Sequence, residues 1–226
     1  MKEEICNAYE MPTIQQEFSM DLSMIKLYDH PLSGNCYKVR LLLSNLGIPF
    51  ERVHVDIFTG EQHSESFRAI NPCGKIPVLI DGDFIIRESN AILLYLANKY
   101  YPNRLYSREP EKFGRIAEWL FFGKTTLDPS LAVARFTLRF LPEEKRDYRQ
   151  LDNLKQSAVA ALEILDTHLS KYNFLASSYS IADIGCYPYV KTAPEGGIDI
   201  SAFDSVIRWC ERIESESGYI PMYEAQ

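Results

Sequence analysis

Residues 74–90, GKIPVLIDGDFIIRESN, decide the fold. An apolar stretch holding Pro77 turns back at Asp81-Gly82-Asp83, runs through a second short strand and ends at the polar pair Glu88-Ser89, ahead of an apolar helix. Proline has no N–H to donate to a ladder, so Pro77 belongs where a strand begins and a ligand can meet backbone groups. Eleven residues on, Glu88-Ser89 sets a carboxylate, a hydroxyl and helix N-terminal N–H groups together, a combination suited to the ammonium and carboxylate ends of a zwitterionic ligand. Singly, a strand proline marks an edge and a serine before an apolar helix is a cap. The order of segments around them is far more specific.

Upstream, Ile25-Lys26-Leu27-Tyr28 reads as a short strand and Asp29-His30-Pro31-Leu32-Ser33-Gly34-Asn35 as a turn. Val39, Leu42, Leu43 and Leu46 then recur at helical spacing until Gly47 and Pro49 stop the helix. Val53 and Val55 alternate in a second strand, a polar stretch at 59–66 leads to a short helix near Phe67, and the Pro77 hairpin comes next. The predicted order is β-α-β-α-β-β-α.

That order, with LYDHPLSGNCYKVRLLL at 27–43, NPCGKIPVLIDGD at 71–83 and ESNAILLYLANKY at 88–100, resembles the thioredoxin-like N-terminal domain of the cytosolic glutathione transferases, in particular the bacterial serine-type, theta- or Nu-like members. The resemblance implies a cis Pro77, an Ile76 whose backbone pairs with the cysteinyl part of glutathione, and a γ-glutamyl end held by Glu88 and Ser89. Gln62, His63 and Lys75 match positions that contact the glycyl end or the cysteinyl region, although Gln62 and His63 depart from the theta-like His-Lys pair. The electrophile is expected over the fourth helix, against some of Trp119, Phe122, Leu131 and Phe136.

Beyond Tyr101-Pro102-Asn103 the pattern is helical, with no strand alternation. Residues 111–140 are long, apolar and aromatic, and Ala158, Leu162, Leu165 and Leu169 form an amphipathic stripe. Ser180-Ile181-Ala182-Asp183 is a capping box: serine and aspartate each satisfy a backbone donor of the other, with Tyr179 and Ile184 placed as a hydrophobic staple. A similar box opens a buried helix in the glutathione transferases. The expected organisation is an extension at 1–23, a thioredoxin-like glutathione-binding domain at 24–101, a linker at 102–110 and an all-helical domain at 111–226, that is, α/β followed by all-α.

A thiol with a pKa of about 8.5 is mostly protonated at neutral pH, and the thiolate is the nucleophile. Lowering that pKa by about two units takes roughly 2.7 kcal/mol of preference for the anion, within reach of one charge-assisted hydrogen bond and a helix N-terminus. The 31–35 loop offers both. The family match assigns the donor to Ser33, and Asn35 shares the candidacy because Nu-like members carry an Asn at its position. Tyr28 lies on the strand, five residues too early, and is read as structural. Cys36 falls three residues beyond the position at which omega-like members place a reactive cysteine and is read as a small thiol packed behind the loop.

With 226 residues, 46% of them hydrophobic, the chain can bury a sizeable core. A net charge of −7 argues against a nucleic-acid partner, which calls for a basic surface. Attraction for anionic glutathione is therefore local, with Lys75, His63, Arg135 and Arg139 as candidates. Five separated cysteines without CxxC and four scattered histidines suggest neither a disulfide framework nor a metal site. No run of eighteen apolar residues and no signal-like start are present, so no membrane association and a cytoplasmic location are expected. The expected activity is transfer of the glutathione thiolate, glutathione being a co-substrate, to an electrophilic, largely apolar small molecule by a homodimer. The alternatives are a glutathione-dependent disulfide reductase or peroxidase, and a non-catalytic glutathione-binding module.

Overall fold

The computed structural model describes residues 24–223, so the expectation for the 1–23 extension lies outside the described residues. The first part contains β1 (Ile25–Asp29), α1 (Gly34–Leu46), β2 (Phe50–His54), α2 (Glu65–Ile70), β3 (Val78–Asp81), β4 (Phe84–Arg87) and α3 (Ser89–Lys99). The strands form one mixed sheet in the order β2-β1-β3-β4. β1 and β2 are parallel, as a helical crossover through α1 requires, with Ile25 opposite Phe50. β3 runs antiparallel to β1, with Leu27 opposite Leu79, and the Asp81–Phe84 hairpin adds β4. β3 begins at Val78, immediately after the cis Ile76–Pro77 peptide, which is where a residue without an N–H fits. This is the expected thioredoxin-like arrangement.

The remainder is helical: α4 (Pro110–Phe122), α5 (Asp128–Phe140), α6 (Tyr148–Leu169), α7 (Ile181–Lys191) and α8 (Asp204–Glu214). The apolar, aromatic stretch at 111–140 is helical, α4 and α5 being joined by a π-helical turn at Gly123–Leu127. An extra residue in a turn rotates the helix beyond it, so α4 and α5 present different faces to the rest of the protein. Among the described residues no helix is long and apolar enough to cross a membrane.

α7 is buried along nearly its whole length and is the axis of the helical domain. Its capping box is formed: Ser180 N–H donates to Asp183 Oδ2 at 3.0 Å and Ser180 Oγ accepts from Ala182 N–H at 3.2 Å. Asp183 Oδ1 also accepts from Leu175 N–H at 2.9 Å and from Trp209 Nε1 at 2.8 Å, tying α7 to α8 and to the preceding loop. Burial pushes this carboxyl up to about 6, and the donors around it pull the other way.

The two domains are joined through α1. Its Lys38 is fully buried, donates to Asp128 Oδ2 on α5 at 2.9 Å and lies 5.2 Å from the centre of the Tyr189 ring on α7. Removing one member of a buried pair strands the other charge, whereas replacing both by apolar groups is often nearly neutral. Asp128→Ala is therefore expected to lower unfolding free energy by about 3–5 kcal/mol in a urea titration, and the Lys38→Met/Asp128→Leu pair by much less. Equal losses in the two would refute the stranded-charge account.

Candidate active site

The 29–35 loop is built by charge. Asp29, buried at the end of β1, accepts from Arg40 at 2.5 Å and from Arg52 at 2.8 Å. Arg40 also donates to the carbonyls of His30 at 3.4 Å and Pro31 at 3.1 Å, and Arg135 of α5 donates to the carbonyl of Leu32 at 3.0 Å. Inside the loop, His30 Nδ1 accepts the N–H of Leu32 at 3.2 Å, which requires an unprotonated nitrogen there. Burial and then the neighbouring His54 lower the pKa of His30, favouring that neutral form. Ser33 is the N-cap of α1, its Oγ accepting the N–H of Cys36 at 3.3 Å. The cap uses a lone pair, so the hydroxyl proton remains available to an anion at the loop. Gly34 comes next because a Cβ there would come within 2.8 Å of the Tyr189 ring, where α1 meets α7.

The second half is the cis-Pro77 turn and the start of α3. Asn71 is buried and fixes the turn from inside: its Nδ2 donates to the Lys75 carbonyl at 2.6 Å and its Oδ1 accepts from Cys73 N–H at 3.1 Å. Gly74 has φ +59°, and a Cβ on it would lie 2.7 Å from His63 Nδ1. Glu88 has φ +64°, a conformation that costs a non-glycine residue about 1–3 kcal/mol and is characteristic of functional sites. Ser89, buried at the first position of α3, donates through Oγ to Asn35 Oδ1 at 3.2 Å. The N-terminal ends of α1 and α3 thus converge on one point. Between them lies a small cleft of about 40 Å³, walled by Asn35, Asn71, Lys75, Ile76, Glu88 and Ser89, with Lys124 reaching in from the π-helical turn to within 3.8 Å of Glu88. Two helix N-termini and Lys75 bring positive potential to the cleft of a chain of net charge −7, while Lys124 faces the Glu88 carboxylate.

Of the residues singled out from sequence, Asn35, Lys75, Ile76, Pro77, Glu88 and Ser89 meet at this cleft. Ser33 sits at the cap of α1, two residues before Asn35 and outside the cleft wall. Gln62 and His63 do not line it either: they bond each other at 3.3 Å and pack behind the Gly74 turn. Arg135 and Arg139, considered as attractors of an anion, are instead bound to Glu195 at 2.7 and 2.5 Å. The expected electrophile wall is dispersed. Leu131 is core, and Trp119 and Phe122 face a groove between α4 and α6, Trp119 lying 4.5 Å from the ring of His168. Leu131 and Phe136 lie five residues apart on α5 and so on different faces of it, while Trp119 and Phe122 belong to α4, and what packs on each face decides its burial. Of the four, Phe136 is the exposed one, in a cluster with Phe140 at 5.9 Å, which in turn meets Phe58 at 5.6 Å.

Cys36 is fully buried, and burial pushes its thiol up to about 12, which removes it as a nucleophile at neutral pH. Tyr28 packs edge-on against Phe67, 6.0 Å between ring centres. Asn71 and Lys124 were not singled out from sequence. Asn71 had a signal in the Asn-Pro-x-Gly turn, whereas Lys124 had none, because its neighbours come from the other domain.

The family model described as "Glutathione S-transferase, N-terminal domain" matches residues 23–98. Glutathione S-transferase F10 of Arabidopsis thaliana is 31% identical over 197 residues, covering 84% of this chain and 92% of that protein. The crystal structure of a glutathione S-transferase from Pseudomonas fluorescens superposes with a TM-score of 0.84 at 38% identity, covering 89% of this chain and 100% of that one. Ure2p5 from Phanerochaete chrysosporium, cocrystallised with 1-(S-glutathionyl)-2,4-dinitrobenzene, is 30% identical with a TM-score of 0.77, covering 86% of this chain and 90% of that one. With both domains matched at this level and the cis-proline, capping-box and helix-terminus geometry in place, the chain belongs to the glutathione S-transferase family and is an enzyme of that kind.

Proposed function

We propose that this glutathione S-transferase conjugates the glutathione thiolate to an electrophilic, largely apolar small molecule, acting in the cytoplasm as a homodimer. The observation that carries the reading is the meeting of the α1 and α3 N-termini at the Asn35–Ser89 hydrogen bond, beside Lys75 and Lys124. In this reading Ser89 and Glu88 take the γ-glutamyl carboxylate and ammonium, the backbone of Ile76 pairs with the cysteinyl unit, and Lys75 faces the glycyl carboxylate. The thiol then lies at the start of α1, where the Ser33 hydroxyl donates to the sulfur and the helix dipole favours the anion. The thiolate attacks the electrophilic carbon, a leaving group departs with its electron pair or a double bond accepts it, and the product is a thioether. In this reading the electrophile lies against the exposed Phe58 and Phe136 and the half-buried Phe140. The conjugate named with the related Ure2p5 structure supports an aromatic electrophile among those accepted.

The Asn35–Ser89 contact also favours a second reading, in which Asn35 is the thiol donor and the enzyme reduces disulfides with glutathione. The two readings separate by substitution. Ser33→Ala is expected to lower kcat/KM by about 10- to 1,000-fold and to raise the pKa of bound glutathione, the result of losing one charge-assisted hydrogen bond. A nearly silent Ser33→Ala with a severe Asn35→Ala, and greater activity on a mixed disulfide than on aryl halides, would move the donor to Asn35.

Glu88 and Ser89 hold a part of glutathione that does not react. Glu88→Gln and Ser89→Ala should therefore raise the glutathione KM far more than they lower kcat, because ground and transition states lose the same contacts. Unchanged affinity in both would remove them from the site. Support for the dimer is an apolar groove of about 270 Å³ between α3 and α4, bordering Glu88 and Ser89 and carrying the exposed Phe121. Sedimentation is expected to give twice the 26.0 kDa chain mass, and Phe121→Glu to shift it toward one; a monomeric wild type with full turnover would refute the dimer.

A further inference from the structure

The loop bearing Ser33 is not backed by core at Pro31 and Leu32. Behind Pro31 and Leu32 opens a cleft of about 650 Å³, bounded on its other side by residues 220–223. Packing is therefore sparse at these two residues, and the loop's carbonyls are held by two buried guanidinium groups, Arg40 on α1 and Arg135 on α5.

Both arginines are also bound to the C-terminal strap. Arg40 donates to the Met222 carbonyl at 3.3 Å. Arg135 donates to the Tyr223 hydroxyl at 2.7 Å, and that hydroxyl donates to Glu195 Oε1 at 2.7 Å, while Glu195 Oε2 accepts from Arg135 Nε at 2.7 Å. The strap is anchored further back, the Ile220 carbonyl accepting from Tyr37 Oη at 2.7 Å and the Gly218 carbonyl from Asn45 at 3.2 Å. A guanidinium is a rigid planar fork, so its partners on one edge determine where the opposite edge points. Arg135 is thus aimed at Leu32 by Glu195 and Tyr223, and Leu32 is the residue before Ser33.

We infer that the C-terminal strap sets the position of the thiol-activating loop, with Tyr223 as a positioning residue that acts through Arg135 and the Leu32 carbonyl on Ser33. This rests on the assignment of Ser33 as the thiol donor. Tyr223 touches neither of the proposed substrate sites. Its hydroxyl closes a ring of hydrogen bonds with Glu195 and Arg135, and opening that ring lets the Leu32 carbonyl, and with it the Ser33 hydroxyl, drift from the sulfur.

The test is a double-mutant cycle in the full chain on Ser33→Ala and Tyr223→Phe, read by steady-state kinetics and by thiolate absorbance of bound glutathione against pH. Tyr223→Phe is expected to lower kcat/KM by about 3- to 10-fold through kcat, with little change in the glutathione KM, and to raise the pKa of the bound thiol. In the Ser33→Ala background it should add nothing, because the bond it positions is already gone. Glu195→Gln, which loosens the same ring from a third element, should show the same non-additivity. A silent Tyr223→Phe with a severe Ser33→Ala overturns the strap and leaves the donor assignment standing. So does a double variant whose loss is the product of the two, or a Tyr223→Phe effect that tracks only thermal stability and leaves the thiol pKa unmoved. A silent Ser33→Ala removes the donor assignment and the proposal with it.

Discussion

A fully buried ammonium is the constraint around which the molecule is organised. Lys38 sits in the middle of α1 and finds its carboxylate on α5, in the other domain, with the Tyr189 ring of α7 beside it. Burying such a charge is tolerable only in one geometry, so α1 must lie against α5 and α7 in a single way. The 29–35 loop then depends on α1. Its cap is Ser33 and its first turn carries Asn35, its next turn sends Arg40 back to hold the loop it emerged from, and its last turn receives the C-terminal strap at Asn45. Neither domain alone has the complete loop support, since Arg40 comes from one and Arg135 from the other.

The cleft arises from the same demand that backbone groups be satisfied. Helix N-termini carry N–H groups with no intrahelical partner, and a buried one must be capped or given to a ligand. Ser33 caps α1 and yet keeps a proton to donate, while α3 begins at Glu88 in a left-handed conformation, with Ser89 turned toward Asn35. The strain at Glu88 is the cost of pointing a helix start at the cleft instead of into the sheet. Attraction for an anionic tripeptide on an acidic protein is then a matter of a few ångströms. In the proposed site Lys75 and two helix ends would supply it locally, with Lys124 facing the Glu88 carboxylate.

Sequence by itself determined whatever local chemistry enforces. Pro77 had to begin a strand because it lacks a donor, the Asp81-Gly82-Asp83 turn had to reverse the chain, and Ser180 and Asp183 had to cap a helix; these marks gave the order of the elements, and the thioredoxin-like sheet followed from the resemblance that order carries. Of the residues of the cleft, Pro77, Glu88 and Ser89 were legible for the same reason, a strand start and a helix start, whereas Asn35, Lys75 and Ile76 were legible only through the resemblance to the glutathione transferases. Only the tertiary structure decided which groups come together from distant segments. Helical periodicity placed Trp119, Phe122, Leu131 and Phe136 on one apolar helix. The structure distributes them between the core (Leu131), a groove shared with α6 (Trp119 and Phe122) and the exposed Phe136, because what packs against each face of a helix, and not the run of apolar residues, decides which side is covered. Lys124 entered the cleft, and Arg135 left the ligand for Leu32, Glu195 and Tyr223, on contacts separated by tens of residues, where hydrogen-bond partners are chosen by packing and no local pattern records the choice.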